Sequence, residues 1–181
     1  MKLAILRIGP VDSNIINNIG KQLCEIFPQT VCVILDSEMS TPKDAYNSRR
    51  KQFHSSLILA KIHQHAEKPM ADRVLGITNV DLYVPRLNFV FGEAECPGKT
   101  AIISLYRLKP EFHGHSSNTT LLIEHSVKEA VHEIGHTLGL GHCRDPSCVM
   151  FFSNSILDTD KKESTFCEKC HSSVVKHLSV T

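Results

Sequence analysis

The residues most able to do chemistry lie in one eleven-residue segment, HEIGHTLGLGH, from His132 to His142. His132 and His136 are four residues apart, so on a helix their imidazole rings project from one face about one turn apart. Two such rings can bind a single zinc ion at about 2.0–2.1 Å. Glu133 lies about 100° further round the helix, near the metal but out of line as a ligand. That position suits a base acting on metal-bound water.

The third histidine of the segment requires a change of direction in the chain. On a continuing helix, His142 would lie about 9 Å beyond His136 along the axis, out of reach of the same ion. Gly139 removes this obstacle because glycine readily takes the left-handed conformation that ends a helix, and Gly141 adds further freedom. Three protein ligands leave the fourth position of zinc open for water or substrate, which is typical of catalytic sites.

Four of the seven cysteines form two close pairs directly after this segment. Cys143 and Cys148 make a C-x4-C pair, and Cys167 and Cys170 make a C-x2-C pair. Four thiolates are a ligand set of closed, structural zinc sites, which contribute folding free energy to a short tail with little core. The alternative is redox chemistry, or free thiols, at the second pair. The odd number of cysteines argues against a disulfide framework.

The segments that precede the motif indicate an α/β fold. Apolar and β-branched runs predict strands at 2–8, 31–35 and 73–78, and helical spacing predicts helices at 15–27 and 46–65. Strands that alternate with helices pair in parallel, because parallel neighbours need long connections. We therefore expect a mixed, twisted sheet with helices packed on it.

Two further predictions concern the elements next to the motif. The β-rich runs at 87–91 and 101–105 are joined by GEAECPGK, which predicts a hairpin and hence one antiparallel strand at the edge of the sheet. The motif helix follows, with Asn118, Thr119 or Thr120 as its N-cap.

Composition narrows the class of protein. The length of 181 residues points to one domain. The 20 Lys and Arg residues nearly balance the 19 Asp and Glu residues, so the chain has no strong positive electrostatic field to attract nucleic acid or anionic membranes. No apolar run approaches the ~18 residues that cross a bilayer, and the start, MKLAILRIGP, predicts a strand rather than a secretory signal. We therefore expect a soluble, cytoplasmic protein without nucleic-acid or membrane partners.

The combined pattern, HExxHxxGxxHC-x4-C-x-M followed by CxxC, resembles the archaemetzincins, a branch of the metzincin zinc metallopeptidases. The resemblance implies that His132, His136 and His142 bind a catalytic zinc, with Glu133 as the general base. It also implies a methionine-containing turn beneath the metal, for which Met150 is the candidate.

The same resemblance implies a single metzincin-like domain, in which the mixed sheet has one antiparallel edge strand and an active-site helix leads to a small zinc-held C-terminal subdomain. We place the boundary between an N-terminal α/β subdomain at 1–138 and a C-terminal subdomain at 139–181. Two zinc ions per chain are expected, one catalytic and one structural. The ligands of the structural ion would be Cys143, Cys148, Cys167 and Cys170.

The expected activity is that of a metalloendopeptidase or aminopeptidase in which Glu133 activates a zinc-bound water. A monomer would bind its peptide substrate in extended form along an edge strand within 87–94 or 100–105. Phe151 and Phe152 either shape the pocket beyond the cleaved bond or belong to the core. No tyrosine follows the motif, so Asn154 or a backbone group is expected to stabilise the oxyanion. The alternative is a catalytically weak or inactive, zinc-stabilised module that binds peptides.

Overall fold

The computed structural model describes residues 1–66 and 71–179. In chain order its strands are β1 (Lys2–Ile8), β2 (Val31–Met39), β3 (Tyr46–Asn47), β4 (Gln52–His54), β5 (Arg73–Thr78), β6 (Leu82–Tyr83), β7 (Gly92–Ala94) and β8 (Thr100–Ser104). Its α-helices are α1 (Ser13–Ile26), α2 (Ser55–Ala66), α3 (Thr119–Thr137), α4 (Ile156–Lys161) and α5 (Glu168–Ser179).

A five-stranded mixed sheet forms the centre of the fold, in the order β2-β1-β5-β8-β7. The first four strands of that order are parallel, and β7 pairs antiparallel with β8 at one edge. Helix α1 connects β1 to β2 and helix α2 lies between β2 and β5, while the parallel strands β5 and β8 are connected by residues 79–99 without a helix. The predicted α/β architecture, with its single antiparallel edge strand, is confirmed.

The predicted helix at 46–65 is wrong in its first part, because α2 begins only at Ser55. Asn47 causes the difference: its Oδ1 accepts hydrogen bonds from the backbone N–H groups of Arg49 and Arg50, both at 3.1 Å, and closes a turn. The strands on either side of this turn, β3 and β4, pair antiparallel, and β6 completes a small second sheet.

The predicted hairpin is present, but its first strand is shifted from 87–91 to Gly92–Ala94. The guanidinium of Arg50 donates hydrogen bonds to the carbonyl oxygens of Leu87 and Asn88, at 2.9 and 2.8 Å. These carbonyls therefore have partners outside a β-ladder, and residues 84–91 form a loop that leads into the edge strand. β2 is also longer than predicted and extends to Met39.

Two apolar clusters lie on opposite faces of the central sheet. Residues of α2 pack on one face, while α1 and α3 share a larger cluster on the other. The larger cluster continues into residues after 138, with Val149, Met150 and Val174 fully buried. Because one core joins both sides of position 138, the boundary between subdomains stays a prediction. No helix in residues 1–66 or 71–179 is long and apolar enough to span a membrane.

The motif helix α3 lies between the sheet and the C-terminal segment. Asn118 is its N-cap, because its Oδ1 accepts a 3.0 Å hydrogen bond from the backbone N–H of Leu121. One of the three predicted caps is thereby selected. Apolar residues of α3 face the core, among them Val127, Val131 and Ile134.

The cap gives a first testable prediction. Replacing Asn118 by Ala should lower the free energy of unfolding by about 1 kcal/mol, because an N–H group in the first turn of α3 loses its acceptor. Urea unfolding of the zinc-loaded chain, followed by circular dichroism, measures this loss. Thr120→Ala, within the same turn, is the control and should change stability by less; equal losses in the two variants would contradict the assignment of the cap.

Candidate active site and metal centre

The structure brings the three histidines of the motif together. His132 and His136 lie one turn apart on α3, with ring centroids 4.6 Å apart. The ring of His142 lies 5.4 Å from the first and 4.9 Å from the second. One nitrogen from each ring lies within 4.8 Å of the other two. The expected convergence of the three side chains is therefore present.

Two backbone carbonyls decide which nitrogens face the centre of this cluster. His132 Nδ1 lies 2.7 Å from the carbonyl oxygen of Val149, and His136 Nδ1 lies 2.7 Å from that of Leu140. A carbonyl oxygen only accepts, so each Nδ1 carries the proton and, in a neutral ring, each Nε2 keeps a bare lone pair. Burial lowers the pKa of His132 well below its ordinary value and also lowers that of His136, which keeps both rings neutral.

The donor set fits a zinc ion. The bare Nε2 atoms of His132 and His136 are 3.0 Å apart, and two lone pairs at that distance repel one another unless a cation lies between them. Tetrahedral zinc with bonds of about 2.05 Å separates its nitrogen ligands by about 3.4 Å. Burial also lowers the pKa of His142, so the third ring is likewise neutral and able to act as a ligand.

The turn that returns His142 to the cluster is built on Gly139. Its φ of 85° is left-handed, as predicted, and its N–H donates to the carbonyl of His136 at 2.8 Å. The next N–H, of Leu140, donates to the carbonyl of Gly135 at 3.1 Å. These bonds satisfy the last carbonyls of α3 and reverse the chain. Gly141 keeps an ordinary φ, so the left-handed residue required here is Gly139.

Glu133 is buried and lines the same cleft as the three rings. Burial raises the pKa of its carboxyl well above the ordinary value; the nearby charge of Glu129 adds to the rise, and that of Lys162 opposes it. Gly92 on the edge strand gives Glu133 its space. A Cβ atom on Gly92 would lie 2.7 Å from both Cγ and Oε1 of Glu133.

Met150 lies fully buried directly behind α3. A Cβ atom on Gly135 would lie 2.4 Å from its sulfur, so only glycine lets the methionine approach the helix this closely. The backbone N–H of Cys143 donates to the carbonyl of Met150 at 2.9 Å. Sequence reasoning missed the roles of Gly92 and Gly135. A glycine inside a helical pattern is itself a signal of close packing and could have identified the second.

A cleft of about 690 Å³ passes over the histidines, between the edge strand and the segment that follows Met150. Phe152 lines this cleft, and its ring lies 4.9 Å from that of His142. Phe151 does not line it and forms a β-bridge with Cys143 instead. Phe152 therefore lies where a pocket residue would lie, and its role in binding a substrate stays a prediction. Ser153 and Asn154 continue the same wall.

The four C-terminal cysteines form a second cluster. Their sulfur atoms all lie within 4.8 Å of one another, and those of Cys143 and Cys167 are 3.8 Å apart. Tetrahedral zinc with bonds of about 2.3 Å separates its sulfur ligands by about 3.8 Å, so the cluster fits the ion. Four converging sulfurs favour a metal site over a redox pair formed by Cys167 and Cys170.

Known proteins resemble this chain in sequence and in structure. The family model of Peptidase family M54 matches residues 12–176. The chain is 47% identical to the archaemetzincin of Methanocaldococcus jannaschii over 170 aligned residues. The alignment covers 94% of this chain and 90% of the relative. The chain belongs to peptidase family M54, the archaemetzincins. It is therefore a zinc metallopeptidase, as the motif predicted.

Solved archaemetzincins share the whole fold. The crystal structure of the protein from Methanopyrus kandleri superposes with a TM-score of 0.87 at 36% identity and covers 99% of this chain and 96% of its own. The crystal structure of the protein from Archaeoglobus fulgidus, complexed with malonate, superposes with a TM-score of 0.81 at 38% identity. This superposition covers 96% of the present chain and 99% of the Archaeoglobus chain. The archaemetzincin fold thus extends over both the motif helix and the cysteine cluster.

The contact between Gly92 and Glu133 gives a second prediction. Gly92→Ala should lower kcat/KM for peptide cleavage by about 100-fold, because a displacement of about 1 Å in a catalytic group has an effect of that size. Cleavage rates of the zinc-loaded chains measure it. Gly141→Ala is the control, since a Cβ there has no neighbour within 4 Å; a Gly92→Ala chain as active as this control would contradict the proposed crowding.

Proposed function

We propose that this chain hydrolyses peptide bonds at the three-histidine site, with Glu133 as the group that moves protons. The convergence of three neutral imidazoles beside a buried carboxylate, in an open cleft, is the observation that carries the proposal. Zinc, when bound there, polarises the scissile carbonyl and makes water acidic enough to lose a proton near neutral pH. His132, His136 and His142 would hold that ion.

Glu133 has the properties of a proton shuttle. Its raised pKa makes the carboxylate a stronger base than an exposed glutamate, so it accepts the proton of the attacking water more readily. The same raised pKa lets the carboxyl keep that proton until the amine of the departing peptide takes it. Gly92 supports this role by leaving room for the carboxylate next to the edge strand.

The substrate that fits this cleft is a peptide in extended form. One side of β7 pairs with β8, while Gly92, Glu93 and Ala94 line the cleft on the other side. Backbone groups on that free side can pair with the backbone of an extended peptide. Of the two segments proposed for this contact, β7 is the edge strand, since β8 lies between β5 and β7.

Asn154 is the side chain we propose as helper for the oxyanion. It lines the cleft in the segment that follows Met150 and is exposed to solvent there. The three tyrosines of the chain all belong to its described part, and none of them lines the cleft. An amide N–H donor is one of the side-chain groups that stabilise such charge.

We further propose that each chain binds two zinc ions, one at the histidines and one at the cysteines. The fit of the Sγ separation to tetrahedral zinc supports the second ion. Its role would be structural, because four protein ligands leave no open position. Cys143 follows His142 directly, so the second ion would anchor the segment that brings the third histidine to the cleft.

A third prediction tests the proton shuttle. Glu133→Ala should lower the rate of cleavage of an unbiased peptide library by about 100-fold to 10,000-fold, the range expected for loss of general acid–base catalysis. Mass spectrometry of the products gives the rate, and the positions of the cuts separate an endopeptidase from an aminopeptidase. Glu124→Gln, at an exposed position of the same helix, is the control and should retain full activity, because its amide oxygen can still accept from the buried Lys128.

Two other outcomes of that experiment would count against the proposal. Cleavage that survives Glu133→Ala would mean that another group acts as the base. Absence of cleavage by the zinc-loaded natural chain would favour the peptide-binding module instead.

A fourth prediction tests the number of metal ions. Native mass spectrometry should find two zinc ions per chain, and Cys167→Ser should reduce the count to one because the closed site loses a ligand. Cys96→Ser, outside both clusters, should leave two. An unchanged count in Cys167→Ser would refute the cysteine site.

A further inference from the structure

The cleft contains a charged group and a polar group that the proposed reaction does not use, those of Glu129 and Ser153. Glu129 lies one turn before Glu133 on α3 and lines the cleft, as do Ser153 and Asn154. We call the space bordered by these three residues the Glu129 pocket.

The location of this pocket indicates which residue of a substrate would enter it. Under the proposed function, on which this inference rests, Glu133 delivers a proton to the amine of the residue that follows the cleaved bond. The side chain of that residue therefore lies on the Glu133 side of the metal site. Glu129 lies one turn before Glu133 on α3, lines the same cleft and is close enough to act electrostatically on Glu133.

Glu129 is held from behind by buried partners. Its Oε1 accepts a 3.1 Å hydrogen bond from the hydroxyl of Thr159 and lies 2.9 Å from the ammonium of Lys162. The side chain of Lys162 is completely buried and that of Glu129 is 4% exposed. A buried lysine next to a buried carboxylate forms an ion pair, since either charge alone would be costly. The pair fixes one of the two carboxylate oxygens of Glu129.

Two groups of the pocket lack a hydrogen-bond partner. No described residue donates a hydrogen bond to the second oxygen of Glu129, Oε2. The hydroxyl of Ser153 is buried and also has no partner among the described residues. Buried polar groups are nearly always satisfied in folded proteins, so the Ser153 hydroxyl points to a ligand in the pocket. The second oxygen of Glu129 offers that ligand an acceptor in the same cleft.

We propose that the Glu129 pocket binds the side chain of the residue that follows the cleaved bond and selects a carboxamide, that of glutamine or asparagine. The amide N–H₂ would donate to Glu129 Oε2, and the amide oxygen would accept from the hydroxyl of Ser153. Lys162 is a positioning residue, because it acts on the substrate only through Glu129.

The charges of the pocket exclude the other classes of side chain. An acidic side chain has no hydrogen to donate to the carboxylate of Glu129, and a basic one is repelled by the positive charge of Lys162 directly behind that carboxylate. An apolar side chain leaves Oε2 and the Ser153 hydroxyl without partners, which is unfavourable in a buried site. A carboxamide is neutral and offers a donor and an acceptor together.

The test measures binding, so it does not depend on turnover. Acetylated alanine peptides with one central variable residue are titrated into zinc-loaded Glu133→Gln chain by fluorescence anisotropy. The glutamine peptide should bind about tenfold more tightly than the norleucine, glutamate and lysine peptides, which corresponds to about 1.4 kcal/mol. Equal affinities, a preference for norleucine, or no binding of the glutamine peptide at millimolar concentration would overturn the proposal.

Variants of the ion pair separate selection from a merely structural role. Glu129→Leu combined with Lys162→Met replaces a buried ion pair by apolar residues, a change that proteins often tolerate. In this double variant the order of peptide affinities should invert, so that the norleucine peptide binds more tightly than the glutamine peptide. Lys128→Met is the matched control, because Lys128 is a buried lysine of α3 that pairs with Glu124, outside the cleft. It should leave the order unchanged.

The possible failures of this experiment can be told apart. A double variant that binds all four peptides more weakly, with glutamine still first, would show that the pair only supports the fold and would overturn its role in selection. Should the double variant not fold, the order measured with Glu133→Gln alone decides the proposal. Failure of the proposed hydrolysis appears separately, as absence of cleavage by the natural chain.

Discussion

The hydrogen bond from His136 Nδ1 to the carbonyl of Leu140, at 2.7 Å, depends on the same turn that returns His142 to the site. The carbonyl is available there only because Gly139 takes a left-handed conformation and reverses the chain. One turn therefore does two things: it orients a histidine that precedes it and delivers one that follows it. The site thus depends on how α3 ends.

The C-terminal segment supports this turn from the other side. The carbonyl of Val149 orients His132, and the carbonyl of Met150, the next residue, accepts from the backbone N–H of Cys143. Cys143 belongs to the sulfur cluster, so a metal held there would restrain the chain on both sides of the methionine. The two clusters are thereby joined by short stretches of backbone, and disorder in one would be transmitted to the other.

Local patterns predicted most of the fold and the two groups of side chains that converge, because spacing along one helix or within one close pair determines them. The bounds of β1 and β5, the cap at Asn118 and the left-handed Gly139 are of this kind. Contacts between distant segments were missed. Glu129 and Lys162 are charged residues that meet 33 positions apart, and nothing in either local sequence marks them as buried. The loop at 84–91 likewise depends on Arg50, a residue of another turn.

Anomalous diffraction at the zinc edge, from crystals of the natural chain soaked in zinc, tests the geometry of the site most directly. We expect two peaks, one about 2.0–2.1 Å from the Nε2 atoms of His132 and His136 and from a ring nitrogen of His142, and one about 2.3 Å from the four sulfurs. A peak bound by the two helical histidines without His142 would contradict the role assigned to the Gly139 turn.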